Sequence, residues 1–489
     1  MTSASDKIEP YVWKISSVVI LGSMMSILDT TIVNVALATL GHDLHSKISD
    51  IQWVVTGYML ALAAVIPVTG WAARRVGAKR IYLVSIVLFT LGSALCGLAT
   101  SSTELILFRV LQGVGGGMIL PVGQLMMAEA AGPKRMGRVM SLVAVPMMLA
   151  PILGPTIGGL IVDSVSWRWI FYVNVPIGVI AVIAALRILP NVKPAPTDRL
   201  DVTGLALMAS GVVLLTYGLA EIGTLGTFTA TRVVVPVLVG LALIGAFVVH
   251  ALRVRHPLLN LRLYRRPTFS TASFAMFCLG AALFGSMILL PLYWQNVRHY
   301  SVVDTGLLTG PQGIGMALVM PLSGKLADRF GGGPVALIGV IITALATVPF
   351  GLIGAHTSVP LLGGAMLVRG VGMGFAFMPA MTAAFAALER SELSHATPQL
   401  NLLQRIGGSI GTAVMAVVLQ RGLIGAHTLA AQGSAYGTAF WWSTGLIALA
   451  IIPCVILTLA ERRARAAKAG EALAAQAPRA EAIAEGVPV

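Results

Sequence analysis

The sequence predicts an all-α polytopic membrane protein. Three observations carry that expectation. The 489 residues are 57% hydrophobic and only 11% charged, against roughly a quarter charged in soluble chains. The mean hydropathy is +0.88. The charges that remain are clustered between long apolar runs, the pattern of a helical bundle with the bilayer as its solvent.

Fourteen apolar runs can be drawn, near 13–38, 51–73, 79–100, 104–130, 139–163, 167–189, 202–221, 233–252, 268–296, 302–324, 334–355, 359–388, 400–420 and 438–460. Each is long enough, at about 20 residues, to cross a core of roughly 30 Å as a helix. The first is too long for a signal-peptide core and reads as a retained span. The cations alternate with the runs. Arg74, Arg75, Lys79, Arg80, Lys134, Arg135, Arg138, Arg253, Arg255, Arg262, Arg265, Arg266, Lys325 and Arg329 fall in loops of one side, together with a basic tail. By the positive-inside rule that side, with both termini, is expected to be cytoplasmic. The net charge of +14 is dispersed over these loops, so anionic lipid headgroups are the expected partner and nucleic acid is not. Cys96, Cys278 and Cys454 lie far apart inside apolar runs and read as packing residues, with no disulfide and no metal site.

The chain carries an internal repeat. Gly70-Trp-Ala-Ala-Arg-Arg75-Val-Gly77 and Gly324-Lys-Leu-Ala-Asp328-Arg329-Phe-Gly331 share the frame G-x-x-A-x-R-x-G. Two runs later each copy has an interior arginine, Arg109 or Arg369, followed by glycines and a proline, Pro121 or Pro379. The expected organisation is a six-helix bundle over 1–195, two inserted helices over 196–260, a second six-helix bundle over 261–461, and a cytoplasmic tail over 462–489. Two halves of six spans suit alternating access to a site between them.

These stretches resemble the major facilitator superfamily, specifically its fourteen-span drug:proton antiporter class. The likeness rests on Leu28-Asp29-Thr-Thr-Ile-Val-Asn34-Val-Ala-Leu37, Gln52-Trp-Val-Val-Thr-Gly-Tyr58, Gly154-Pro155-Thr-Ile-Gly158-Gly159, Trp167 to Gly178, and Gly407 to Gly411. It implies the major facilitator fold and a proton-driven exporter. Gly154, Pro155, Gly158 and Gly159 would form the antiporter motif: a proline-bent, closely packed span that seals one side. Gly70, Arg75, Gly77, Gly324, Asp328 and Arg329 would form the two loop motifs. One departure stands out. Where the family usually has an acid that locks the two halves, the first copy has Arg74.

Asp29 is the acid nearest the middle of a span. An ionised carboxylate there costs at least about 2.5 kcal/mol, so it should face a cavity or a partner. It is the expected proton-coupling residue; a merely structural acid would be satisfied by hydroxyls such as that of Thr30. The family resemblance pairs Arg109 with it, against a plainer reading in which Arg109 snorkels to the interface. Both readings stay open for Arg369 and Arg405. Glu129, Asp163 and Asp304 sit near span ends and read as interfacial. With Asp29 the one clear mid-membrane acid, the expected cargo is lipophilic and neutral or singly charged. Asn34, Tyr58 and Gln124 are candidate cavity residues, and the 21 methionines suit an adaptable cavity or simple filler.

No phosphate-binding loop ending in Gly-Lys-Ser/Thr and no metal-ligand spacing occur in the sequence. The chain therefore reads as a transporter and not an enzyme, without cofactor or metal, driven by an ion gradient. The expected partners are protons, small hydrophobic substrates and membrane lipids; a periplasmic adaptor is left open. The leading expectation is a drug exporter in a bacterial-type inner membrane. A lipid or envelope-precursor translocase is the alternative, and a non-transporting membrane sensor a distant third.

Overall fold

In the computed structural model the described residues are 9–132, 137–139, 154, 157–162, 164–191, 199–386, 388–463 and 466. They are helical almost throughout, as the bilayer demands of any chain whose backbone cannot bond to water. The helices are α1 (Pro10–Asp43), α2 (Ile48–Val65), α3 (Thr69–Val76), α4 (Ala78–Leu98), α5 (Ser102–Ala131), α6 (Trp169–Tyr172) and α7 (Asn174–Ile188) in the first half. The two helices expected as inserted are α8 (Val202–Leu225) and α9 (Thr231–Arg253). Then follow α10 (Pro267–Met287), α11 (Leu289–Asn296), α12 (Val302–Phe330), α13 (Gly332–Gly351), α14 (Val359–Ala386), α15 (Leu393–Leu423) and α16 (Leu429–Leu449), after which helix resumes over 451–463.

Twelve spans among the described residues are long and apolar enough to cross a membrane. The 29-residue α12 is a further helix of crossing length. Most of the expected run 139–163, with Pro155, Asp163, Met147 and Met148, lies outside the described residues, as do Lys134 and Arg135. The architecture is consistent with fourteen crossings.

Two boundaries differ from those read in the hydropathy. The run expected at 400–420 is a helix from Leu393, and the run expected at 302–324 continues to Phe330. The extra turns are polar, so they fall out of a hydropathy window. Those at the start of α15 are helical because other helices cover them: Ser394, Thr397 and Gln399 are all buried.

The repeat is visible in three dimensions. Each loop motif closes on a glycine with positive φ, Gly77 at 99° and Gly331 at 101°, a conformation that a side chain would strain. Each motif also touches the start of the fifth span of the opposite half. Gly70 abuts the carbonyl of Ser394 so closely that a Cβ there would overlap it. In the other copy a Cβ on Gly137 would lie 2.7 Å from the Gly324 carbonyl and from Asp328 Oδ1. Asp328 accepts a hydrogen bond from the Gly137 N–H at 2.9 Å and lies 3.7 Å from Arg138 Nε. Arg74 stands at the place of Asp328 in the first copy, and it donates to Ser394 Oγ at 2.8 Å. The lock that the missing acid would make is therefore made by the opposite kind of group. Farther into the membrane, Asn401 on α15 donates to Gln124 on α5 at 2.7 Å. The described contacts between halves thus gather on the side of the loop motifs.

Helix α8 packs on α9, on α2 and on α15, so the inserted pair straddles the seam between the halves. Trp53 of α2 stacks on Tyr217 of α8 with ring centroids 5.7 Å apart.

Candidate functional site

Helix α5 is capped by Ser101, which accepts from Glu104 N–H at 3.2 Å, while Glu104 reaches back to Thr100 N–H at 2.9 Å. This reciprocal arrangement fixes where the helix starts. Two turns on stands Arg109, and beyond it come the glycines. At Gly113 a Cβ would lie 2.6 Å from the Tyr58 carbonyl, and at Gly115 2.6 Å from Phe89 N. Their absent side chains let α2 and α4 close directly onto α5. That approach sets the Tyr58 ring 4.0 Å from the Arg109 guanidinium carbon.

Asp29 faces this point from α1. Its Oδ2 lies 2.5 Å from Arg109 Nη1, and both side chains are 0% exposed. Asp29 Oδ1 accepts from Gln112 Nε2 at 2.9 Å and from Asn174 Nδ2 at 3.0 Å. Asn174 also donates to Ser93 Oγ at 3.0 Å, and Ser93 donates to the Phe171 carbonyl at 2.9 Å. Arg109 Nη1 donates to Gln112 Oε1 at 2.8 Å and its Nε to the Val54 carbonyl at 3.1 Å. Among the described residues Arg109 Nη2 has no hydrogen-bond partner. Six helices thus contribute to one buried polar cluster. The plain reading of Asp29 as an acid satisfied by Thr30 does not hold: Thr30 Oγ1 donates to the Ser26 carbonyl at 3.0 Å. Nor does Arg109 snorkel, since it is wholly buried.

The other expected residues fall in three places. Tyr58 joins the cluster, its hydroxyl 3.2 Å from Ser26 Oγ. Gly154 and Gly158 lie against α1 beside it: a Cβ on Gly154 would overlap the Thr31 hydroxyl, and one on Gly158 would come 3.2 Å from the Ile32 carbonyl. Gly159 faces open space, so of the described members of this motif Gly154 and Gly158 touch the site helix. Gln124 belongs to the contact between halves. Asn34 is exposed on α1 and donates to the Thr30 carbonyl at 3.2 Å. Arg75 and Arg329 are exposed at the loop motifs. Cys96, Cys278 and Cys454 are free and buried.

Gln112, Asn174 and Ser93 were not expected. Gln112 could have been found from its position three residues after Arg109, on the same helix face. Asn174 sits in the Trp167–Gly178 stretch. Ser93 gave no signal.

Residues 19–412 match the sequence model of the Major Facilitator Superfamily. The chain belongs to this superfamily. Other superfamily proteins share much of its sequence. "Multidrug resistance protein B homolog" of Mycobacterium tuberculosis is 40% identical over 420 residues, 85% of this chain and 78% of that one. "Multidrug export protein EmrB" of Haemophilus influenzae is 32% identical over 397 residues, 81% of this chain and 78% of that one. Among solved structures, the proton:xylose symporter XylE aligns with a TM-score of 0.63 at 15% identity, over 90% of this chain and 94% of that one. That likeness establishes the major facilitator fold alone. The chain is accordingly a multi-pass membrane transporter of the superfamily, with multidrug-resistance proteins among its relatives.

Proposed function

We propose that this transporter exports small lipophilic compounds from a bacterial-type cell in exchange for protons, by alternating access, from an inner membrane in which both termini are cytoplasmic. The observation that carries the proposal is the buried Asp29–Arg109 pair. A carboxylate and a guanidinium in a dry bundle hold each other's charge. Protonating Asp29 would leave Arg109 without its counter-charge, so protonation and rearrangement of the bundle are coupled. Asp29 is then the group that loads and releases the proton, Arg109 the group that reports its state. Gln112 and Asn174 can donate to the carboxylate and, with their amide oxygens, accept from the neutral acid. They suit a group that alternates between the two forms.

The described contacts between halves lie on the loop-motif side, which suits a conformation open to the outside. The opposite side is where a proton would enter and cargo would leave. The names of the relatives support a drug-like cargo. A lipid translocase with a lateral opening at the inserted pair finds less support, because α8 covers the seam it would use.

Inverted vesicles test the proposal. Asp29→Asn should abolish proton-driven uptake of substrate dyes while the protein stays folded. Uptake by this variant at the rate of the unaltered protein would defeat the mechanism.

A further inference from the structure

The second half keeps the buried arginine of the cluster but not its acid. Arg369 on α14 occupies the place of Arg109 in the internal repeat. Its Nη2 donates to Ser286 Oγ of α10, and its Nη1 to Gln312 Oε1 of α12 at 3.1 Å. Ser286 stands where the first half has Asp29: the two arginines follow their partners by 83 and 80 residues. Arg369 is 1% exposed, and its Nε has no hydrogen-bond partner among the described residues. An acid has been exchanged for a hydroxyl, and the arginine has stayed.

No acid elsewhere in this half replaces it. Residues 261–461 contain five: Asp304, Asp328, Glu389, Glu392 and Glu461. Asp304 is in the first turn of α12, and Asp328 is bound to Gly137. Glu392 pairs with Arg266 at 2.7 Å and accepts from Glu389 N–H. Glu461 accepts from the N–H groups of Gly332 and Gly333. All five belong to helix ends. Arg405 adds a second interior cation. It lies on the stripe of α15 that includes Ser394 and Asn401 and faces the first half, within electrostatic reach of Tyr58, and it makes no hydrogen bond or ion pair among the described residues. Among the described residues the interior thus holds one neutral pair, one buried guanidinium without a counter-charge, Arg369, and a half-buried one, Arg405. A buried charge without a counter-charge is strongly unfavourable.

We infer that the second half receives the anionic group of the cargo: Arg369, with Ser286 and Gln312, takes the carboxylate or sulfonate of a lipophilic organic acid, and Arg405 draws it in from the interface between halves. The guanidinium fork suits a planar oxyanion; Gln312 adds a neutral amide donor, and the Ser286 hydroxyl, which donates to the Ala282 carbonyl at 2.7 Å, leaves the site without the repulsion that an acid at its position would bring. This inference rests on the exporter reading and revises the cargo expected from Asp29 alone: Asp29 is already matched by Arg109, so the charge left to be answered is positive.

The test uses the full chain in nanodiscs and two probes of one shape, 2-naphthoate and 2-naphthylmethylammonium. The unaltered protein should bind the carboxylate at least about ten-fold more tightly, a difference in the usual range for one buried charge-assisted contact. Ser286→Asp, which copies the first half, should remove that preference. Arg369→Gln should do the same, and decides the matter if Ser286→Asp fails to fold. Equal binding of the two probes, a preference for the ammonium, or naphthoate binding unchanged in these variants overturns the inference. So does displacement of naphthoate by millimolar chloride with no naphthoate transport, which makes this a small-ion site. Failure of the exporter reading shows separately, as naphthoate binding without proton-driven flux.

Discussion

At the scale of single residues, the cluster around Asp29 is held by interdependence. Removing one member of a buried ion pair costs about 3–5 kcal/mol, because the other charge is left uncompensated, whereas removing both costs far less. Asp29→Asn and Arg109→Gln should therefore each lower stability by about that amount, while the double variant recovers much of the loss. Unfolding by denaturant in mixed micelles measures this, and strictly additive losses would show that the two groups do not interact. Stability and coupling should separate here: the double variant regains its fold but not its proton-driven flux. Asp29 and Arg109 were legible in the sequence because charges are rare in apolar runs. Ser93, Asn174 and Ser286 were not, because small neutral polar residues are common in spans and reveal a role only through what stands opposite. That Arg109 is matched and Arg369 is not is a difference of partners, invisible when both read as an arginine before glycines.

Among the elements, the inserted pair is tied at one end by a single side chain. Asp201 precedes α8 and accepts from Gly204 N–H at 2.8 Å, from Leu258 N–H at 3.1 Å and from His250 on α9 at 2.8 Å. Burial pushes its carboxyl up, but these donors outweigh it and hold the group below its ordinary value. A carboxyl depressed by folding stabilises the fold above its unfolded value, about 3.9, and the benefit fades as pH falls through the folded value. The start of α8 should accordingly exchange its amide hydrogens faster near pH 3 than at pH 6, after correction for intrinsic rates. Asp201→Ala should reproduce the effect at pH 6, with a loss of about 1 kcal/mol for the cap. Equal protection at the two pH values would remove Asp201 as the tie. Element boundaries were legible where helices face lipid. They were not legible at the start of α15, where a polar stretch that reads as a loop is a helix buried against the other half.

For the whole molecule, the two halves interlock crosswise, each loop motif against the opposite fifth span. A side chain at position 70 cannot fit while Ser394 is in contact, so Gly70→Val should shift the population away from this arrangement. Asn34 reports the shift. As Asn34→Cys, in a protein whose described native cysteines are all buried, it should react with an impermeant thiol reagent from outside, and several-fold more slowly once Gly70→Val is added. Unchanged labelling would mean that the crosswise contact does not govern access. The repeated loop motifs and the interior arginine that follows each were readable in the sequence. The substitution of Arg74 for an acid was readable too, but not its remedy, which depends on the Ser394 hydroxyl lying 2.8 Å away.

The unmatched charge of Arg369 has an electrical consequence. An exporter that trades one proton for one monovalent cation moves no net charge and draws only on the pH difference. One that trades a proton for a monovalent anion moves two charges inward each cycle, worth about 4.6 kcal/mol per 100 mV. The transmembrane voltage alone could then sustain a concentration ratio of roughly three decades. Such a transporter would generate a current on a solid-supported membrane and keep running in a cell whose internal and external pH are equal.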